Sequence, residues 1–170
     1  MLAYRHAFHA GNHADVLKHI VLTRVLRYLN QKDKPYRLVD THAGAGGYSL
    51  EGQHAQKKNE YVEGIARLWD RTDLPELAAD YVACVREFNP DGKLAQYPGS
   101  PAFALRLLRP QDQLRLFELH NTDHRILASY LGDTKGVQVF NADGFDGLKG
   151  QLPPPSRRGA VLMDPSYEGH

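Results

Sequence analysis

The stretch Arg37-Leu38-Val39-Asp40-Thr41-His42-Ala43-Gly44-Ala45-Gly46-Gly47-Tyr48 decides the fold. Its first residues form a short apolar run that reads as a buried strand, and the run empties into a glycine-rich turn. Gly44, Gly46 and Gly47 permit positive φ and let a backbone approach a ligand closely. The same glycines would also serve an ordinary tight turn. Upstream, Val16, Leu17, Ile20, Val21, Leu26 and Leu29 follow a helical period. That spacing predicts a helix capped by Asn12 or Asp15 and running to about Asn30, with Pro35 beyond its end.

Downstream, the strand–helix rhythm pauses over 48–110 and then resumes. Within the pause, Tyr61, Ile65, Leu68 and Trp69 suggest one helix, and Asp73-Leu74-Pro75 can start a second. Ser100-Pro101 suits the cap and first turn of a third, through Leu108. Residues 48–110 therefore read as a helical insertion in an α/β domain spanning 1–170. After it come a strand over 114–119, a helix capped by Asn121 or Thr122 and closed by Gly132, and a strand over 137–140. A short helix and a proline-rich loop lead to the last apolar run, Ala160-Val161-Leu162-Met163. Such alternation predicts a doubly wound, mostly parallel, Rossmann-like sheet.

Ligands of such sheets bind at the carboxyl ends of the strands. Four segments with chemical potential fall there: Thr41 to Tyr48, Glu118, Asp143-Gly144, and Asp164-Pro165-Ser166-Tyr167. A carboxylate at Glu118 can accept from two ribose hydroxyls, or form a salt bridge at a strand end. Asp143 beside the Gly144 amide suits adenine, whose amine donates and whose ring N1 accepts, but Asp is also a favoured helix cap. Asp164 and the Pro165 carbonyl can accept both N–H bonds of a flat amine while Tyr167 stacks on the ring that carries it. The tetrapeptide is one substitution from Asp-Pro-Pro-Tyr, the active-site motif of amino-group methyltransferases. It is a weak signal alone, because Asp-Pro commonly ends a strand.

Bulk properties narrow the class. The chain has 170 residues, 42% of them hydrophobic, which is enough to bury a core. One cysteine, Cys84, excludes an internal disulfide and points to a reducing compartment. No apolar run approaches the roughly 20 residues needed to span a bilayer, and the N-terminus lacks an apolar signal core. A cytoplasmic protein is the expectation. Residues 1–37 hold seven Lys/Arg against two Asp, together with four of the nine histidines. That basic end fits a phosphate-facing surface or, equally, a solvated helix face. His9 and His13 have helical metal-ligand spacing, but no Cys or Glu-x-x-His accompanies them, so no metal is expected. The absence of G-x-x-x-x-G-K-[ST] disfavours a phosphotransferase.

The block Tyr4-Arg5-His6-Ala7-Phe8-His9-Ala10-Gly11-Asn12-His13-Ala14-Asp15-Val16-Leu17-Lys18-His19, with Asp40-Thr41-His42-Ala43-Gly44-Ala45-Gly46, Tyr97-Pro98-Gly99-Ser100-Pro101 and Asp164-Pro165-Ser166-Tyr167-Glu168, resembles the RlmJ family. These are bacterial 23S ribosomal RNA adenine-N6 methyltransferases with a class I sheet. The resemblance implies S-adenosyl-L-methionine contacts at His19, His42, Ser100, Glu118, Asp143, Gly144 and Asp164. It implies Asp164 as proton acceptor, Tyr4 and Tyr167 at the RNA, and His6 and Lys18 against the catalytic loop. It also implies a monomer acting on protein-free or early precursor 23S rRNA. Ser166 stands where the family has a second proline, and family members continue beyond this point. The expectation is thus a sheet cut short after its fourth strand. Methylation of DNA adenine or a protein amide, a nicotinamide-dependent oxidoreductase, and an inactive RNA-binding module are the alternatives.

Overall fold

The computed structural model describes residues 6–51 and 60–165; Tyr4, Ser166 and Tyr167 lie outside them. Helix α1 (His13–Leu29) starts at Asn12, whose side chain accepts from the Asp15 N–H at 2.9 Å. Its buried stripe is Asp15, His19, Leu22, Thr23 and Leu26, one face of a 3.6-residue period.

Strand β1 (Arg37–Asp40) is followed by a three-residue strand, β2 (Gly47–Ser49). Then come α2 (Glu76–Glu87), β3 (Gln96–Pro98) and α3 (Ser100–Leu107). The second half supplies β4 (Gln113–Phe117), α4 (Asn121–Leu131), β5 (Val137–Phe140), α5 (Gly144–Leu148) and β6 (Gly159–Leu162). The main sheet has the order β5-β4-β1-β6, and every pairing in it is parallel. Leu38 lies opposite Leu114 on one side and Ala160 on the other, and Asp40 lies opposite Leu116 and Leu162. Leu38, Val39, Leu114 and Leu116 are fully buried, as expected of strands covered on both faces. The expected doubly wound α/β architecture is therefore present, with four strands in the main sheet among the described residues.

The stretch 48–110 departs from a purely helical reading. It contributes β2 and β3, which pair antiparallel with Tyr48 opposite Tyr97. The helix expected around Tyr61 to Trp69 is instead two 3-10 turns, Glu60–Glu63 and Ile65–Arg67. Gly64 interrupts them at φ −118° and ψ −110°, outside helical space. A Cβ there would sit 2.1 Å from the Gly11 carbonyl, and the Ile65 N–H donates to that carbonyl at 2.9 Å. Docking onto the N-terminal loop overrides helical propensity.

Asn89 closes the α2–β3 connection. It is buried, donates to the Val85 and Gln96 carbonyls, and accepts from the Ala95 and Gln96 N–H groups, all at 2.8–2.9 Å. Asn89→Ala leaves these backbone groups unpaired. It is expected to cost about 2 kcal/mol, read as a lowered denaturant midpoint at unchanged slope.

Candidate functional site at the strand carboxyl ends

Beyond Asp40 the chain stays bonded to both neighbouring strands. The Thr41 N–H donates to the Leu162 carbonyl at 3.0 Å, and the Ala43 N–H donates to the Phe117 carbonyl at 2.9 Å. The turn reverses through Gly44 (φ 73°) and Gly46 (φ 93°), values that favour glycine. Glu118, just past β4, accepts from the Gly44 N–H at 2.9 Å and the His120 N–H at 2.7 Å. Burial raises its pKa, and those two N–H donors oppose the rise.

Strand β5 delivers Asp143. Its Oδ1 accepts from the Phe145 and Asp146 N–H groups and so caps α5. Gly144 presses on Thr41: a Cβ would lie 2.1 Å from the Thr41 carbonyl oxygen. The β5 tip is thereby seated on the β1 tip. The His42 ring meets Phe145 edge-on, centroids 5.0 Å apart, and its Nδ1 lies 2.8 Å from the Thr41 hydroxyl.

Ser100 does not cap α3. Gly99 holds the cap position, and the buried Ser100 hydroxyl donates to Asp40 Oδ2 at 2.5 Å. Similarly, His120, rather than Asn121 or Thr122, caps α4, accepting from the Asp123 N–H. Burial raises the pKa of Asp40; the nearby Lys18 charge and the Ser100 bond counteract this. Lys18 reaches out of α1 to Asp164 Oδ2 at 2.7 Å. Burial alone would lower the Lys18 pKa, but Asp40, Asp15 and Asp164 together outweigh it, and the ammonium is held more firmly than usual. His6 turns to the buried Asp15, 2.6 Å away, and the Gly11 N–H donates to the same carboxylate. Burial would raise Asp15; the charge and hydrogen bond of His6 reverse that and hold it below the usual carboxylate range.

His19 is buried under this layer, and burial pushes it down to about 3. The unfolded chain binds a proton at His19 below the ordinary pKa of about 6.5, and the native state does not until about 3. His19 thus contributes stability that is fully present above that ordinary value and is lost as pH falls between the two. Raised Asp40 and Glu118 act in the opposite sense near the lower end of this window. The isolating measurement compares wild type with His19→Gln. From pH 6 to 4.5, wild-type unfolding free energy should fall faster than the variant's by about 1.4 kcal/mol per pH unit.

Of the residues expected in the site, His42, Ser100, Glu118, Asp143, Gly144 and Asp164 all lie at one end of the sheet, with His19 behind them. Asp40 and Asp15 join this layer as well; the sequence offers Asp15 only as a helix cap and Asp40 only as the end of a strand. An acid closing the apolar run Leu38-Val39 was the available signal for Asp40. No group of three or more His, Cys, Asp or Glu among the described residues is arranged to hold a metal. No described helix is long and apolar enough to cross a membrane. An open, largely apolar groove lined by Leu152, Pro154, Arg157, Gly159 and Val161 runs along β6, apart from the acidic strand ends.

Comparison with known proteins places this arrangement. The family model described as "Ribosomal RNA large subunit methyltransferase D, RlmJ" matches residues 33–170. The Ribosomal RNA large subunit methyltransferase J of Escherichia coli (strain K12) is 53% identical over 168 residues, which are 99% of this chain and 60% of that protein. Its namesake from Haemophilus influenzae is 52% identical over 169 residues, with the same shares. The crystal structure of a DUF519-family protein from Legionella pneumophila str. Philadelphia 1 superposes with a TM-score of 0.87 at 46% identity, covering 94% of this chain and 59% of that one. The chain thus spans about three fifths of the length of the curated relatives it matches. With a glycine turn, a β4 carboxylate and a β6 aspartate gathered on one sheet end, and with identity above one half along nearly its whole length, the chain belongs to the RlmJ family of ribosomal RNA large subunit methyltransferases.

Proposed function

We propose that this protein transfers a methyl group from S-adenosyl-L-methionine to the N6 amine of an adenine in protein-free or early precursor 23S rRNA. The observation that carries this reading is the convergence of Glu118, Asp143 and Asp164 at the ends of three adjacent or next-adjacent parallel strands. The relatives' names supply the RNA class.

The residues fit the donor. Glu118 spends one lone pair of each oxygen on the backbone and keeps others for ribose hydroxyls. Asp143 uses Oδ1 for its cap, leaving Oδ2 for an exocyclic amine. The His19 Nε2 atom is buried and lacks a partner among the described residues, so a polar ligand atom would complete it. Bound there, S-adenosyl-L-methionine would supply an electrophilic methyl group.

Lys18 occupies Asp164 Oδ2 and so orients the carboxylate, leaving Oδ1 to accept an N6–H bond. Tyr167 and Tyr4, outside the described residues, are assigned to the target base and the RNA. As the N6 lone pair forms its bond to the methyl carbon, the carbon–sulfur bond would break, its electron pair would stay on sulfur with S-adenosylhomocysteine as leaving group, and the nitrogen would become cationic. Asp164 then takes one N6 proton. The neutral amine is far too weak an acid for a carboxylate to deprotonate it beforehand, so proton transfer follows methyl transfer. The protein is assigned a monomeric state and a cytoplasmic location.

The test is mass mapping of methylated adenosine in 23S rRNA from cells with and without the gene. A single adenosine losing its methyl group on deletion is the expected result. An unchanged map would remove the reading, and methylation of duplex DNA in preference to protein-free rRNA would redirect it.

A further inference from the structure

His19 belongs to a buried polar chain that the proposed chemistry does not require by itself. Its Nδ1 lies 2.7 Å from the Tyr97 hydroxyl, which lies 2.9 Å from the Tyr81 hydroxyl. Both tyrosines are fully buried. The imidazole stacks on Phe103 of α3, centroids 4.4 Å apart and planes 20° from parallel, so the ring cannot turn over without displacing that contact. Tyr81 in turn stacks on the same Phe103 ring, centroids 5.5 Å apart.

Two proton arrangements are open to the three groups. In one, Tyr81 donates to Tyr97 and Tyr97 donates to Nδ1. Both hydroxyl protons are then used, and the imidazole proton sits on Nε2. In the other, Nδ1–H donates to Tyr97 and Tyr97 to Tyr81. The Tyr81 proton is then left over, and Nε2 becomes a bare acceptor. The second arrangement leaves two buried groups unsatisfied, where the first leaves one. The ring is neutral at physiological pH because burial depresses its pKa, so its tautomer is the open variable.

We infer that Tyr97, backed by Tyr81, is a positioning residue that fixes His19 as the Nε2–H tautomer, so that the ring offers a hydrogen-bond donor to a carboxylate-bearing ligand at the strand ends. The ligand part of this inference rests on the methyl-donor reading above. Location supports it. His19 directly follows Lys18, and Tyr97 lies on β3, two residues before Gly99, whose N–H donates to the Gly46 carbonyl of the glycine turn at 2.9 Å. The carboxylate of the donor's amino-acid portion is its strongest acceptor.

The experiment uses Tyr97→Phe, with Tyr81→Phe as the milder variant and thermal melting as the check that both fold. Nitrogen-15 NMR of the His19 ring should show Nε2-protonated imidazole in wild type and lose that preference in Tyr97→Phe. Affinity for S-adenosylhomocysteine should fall about tenfold in Tyr97→Phe, and less in Tyr81→Phe. Affinity for methylthioadenosine, which lacks the amino-acid portion, should not change. An Nδ1-protonated wild-type ring would overturn the assignment. So would unchanged S-adenosylhomocysteine affinity in Tyr97→Phe, or equal losses for both ligands. If wild type binds neither ligand, the methyl-donor reading falls, while the ring's tautomer still decides the role of Tyr97.

Discussion

Cells whose only copy of the gene carries Asp164→Ala are expected to lose the methyl group on their 23S adenosine, with transfer slowed on the order of 10²–10⁴-fold, the range for a positioned proton acceptor. The structure states why the effect should be large. Asp164 stands at the end of β6, one strand from β1, and is the partner of Lys18 from α1. Removing it deletes the proposed acceptor for N6–H and also leaves Lys18 between Asp40 and Asp15 without its hydrogen-bonded carboxylate. Asp164→Asn separates the two effects: the amide keeps one acceptor oxygen for the amine but cannot take the proton. Its donor affinity should fall less than that of Asp164→Ala, while turnover falls nearly as far. Turnover close to wild type in either variant would remove Asp164 from its role.

The second large effect is structural. Gly144→Val should destabilise the fold by about 3 kcal/mol, the upper part of the usual cost of overpacking, lowering Tm by roughly 6–12 °C. The reason is that the added carbon meets backbone. It would come within 2.1 Å of the Thr41 carbonyl oxygen and 2.6 Å of its Cα, and neither can rotate away as a side-chain tip could. Either α5 lifts from the sheet or the β1 turn shifts. Both outcomes disturb the His42–Phe145 contact and with it the seat of Asp143, so S-adenosylhomocysteine should give a smaller melting shift in this variant than in wild type. Gly150→Ala is the contrasting control, since nothing lies within 4 Å of a Cβ there; its Tm should stay within about 2 °C of wild type.

Much of the sheet is legible in the sequence because parallel strands are buried on both faces and read as continuous apolar runs. Leu38-Val39, Leu114 to Phe117, Val137 to Phe140 and Ala160 to Leu162 all carry that signal, and all became strands. The β2–β3 ribbon carries none. Each strand is three residues long, β3 ends on Pro98, and the pairing is set by contacts between segments far apart in the chain. The lost helix near Trp69 has the same cause, since the decisive partner of Gly64 is Gly11.

The candidate site divides along the same line. Glu118 and Asp164 are visible because each directly follows an apolar run, and Asp143 because it stands three residues past one, beside Gly144. The Ser100–Asp40 and Tyr97–His19 bonds are not, because a pairing between distant segments leaves no period to read. Ser100 is legible as a cap, and its buried hydroxyl goes instead to the buried Asp40 carboxylate.

The Gly46–Gly99 contact has a mechanical consequence. A Cβ on Gly99 would come within 3.2 Å of the Gly46 backbone, and the two residues are also joined by a main-chain hydrogen bond. The segment carrying β3 and the start of α3 is therefore riveted to the loop beneath it rather than hung beside it as a loose flap. Whatever tugs on that segment moves the β1 loop with it, so the two respond to load as one lever.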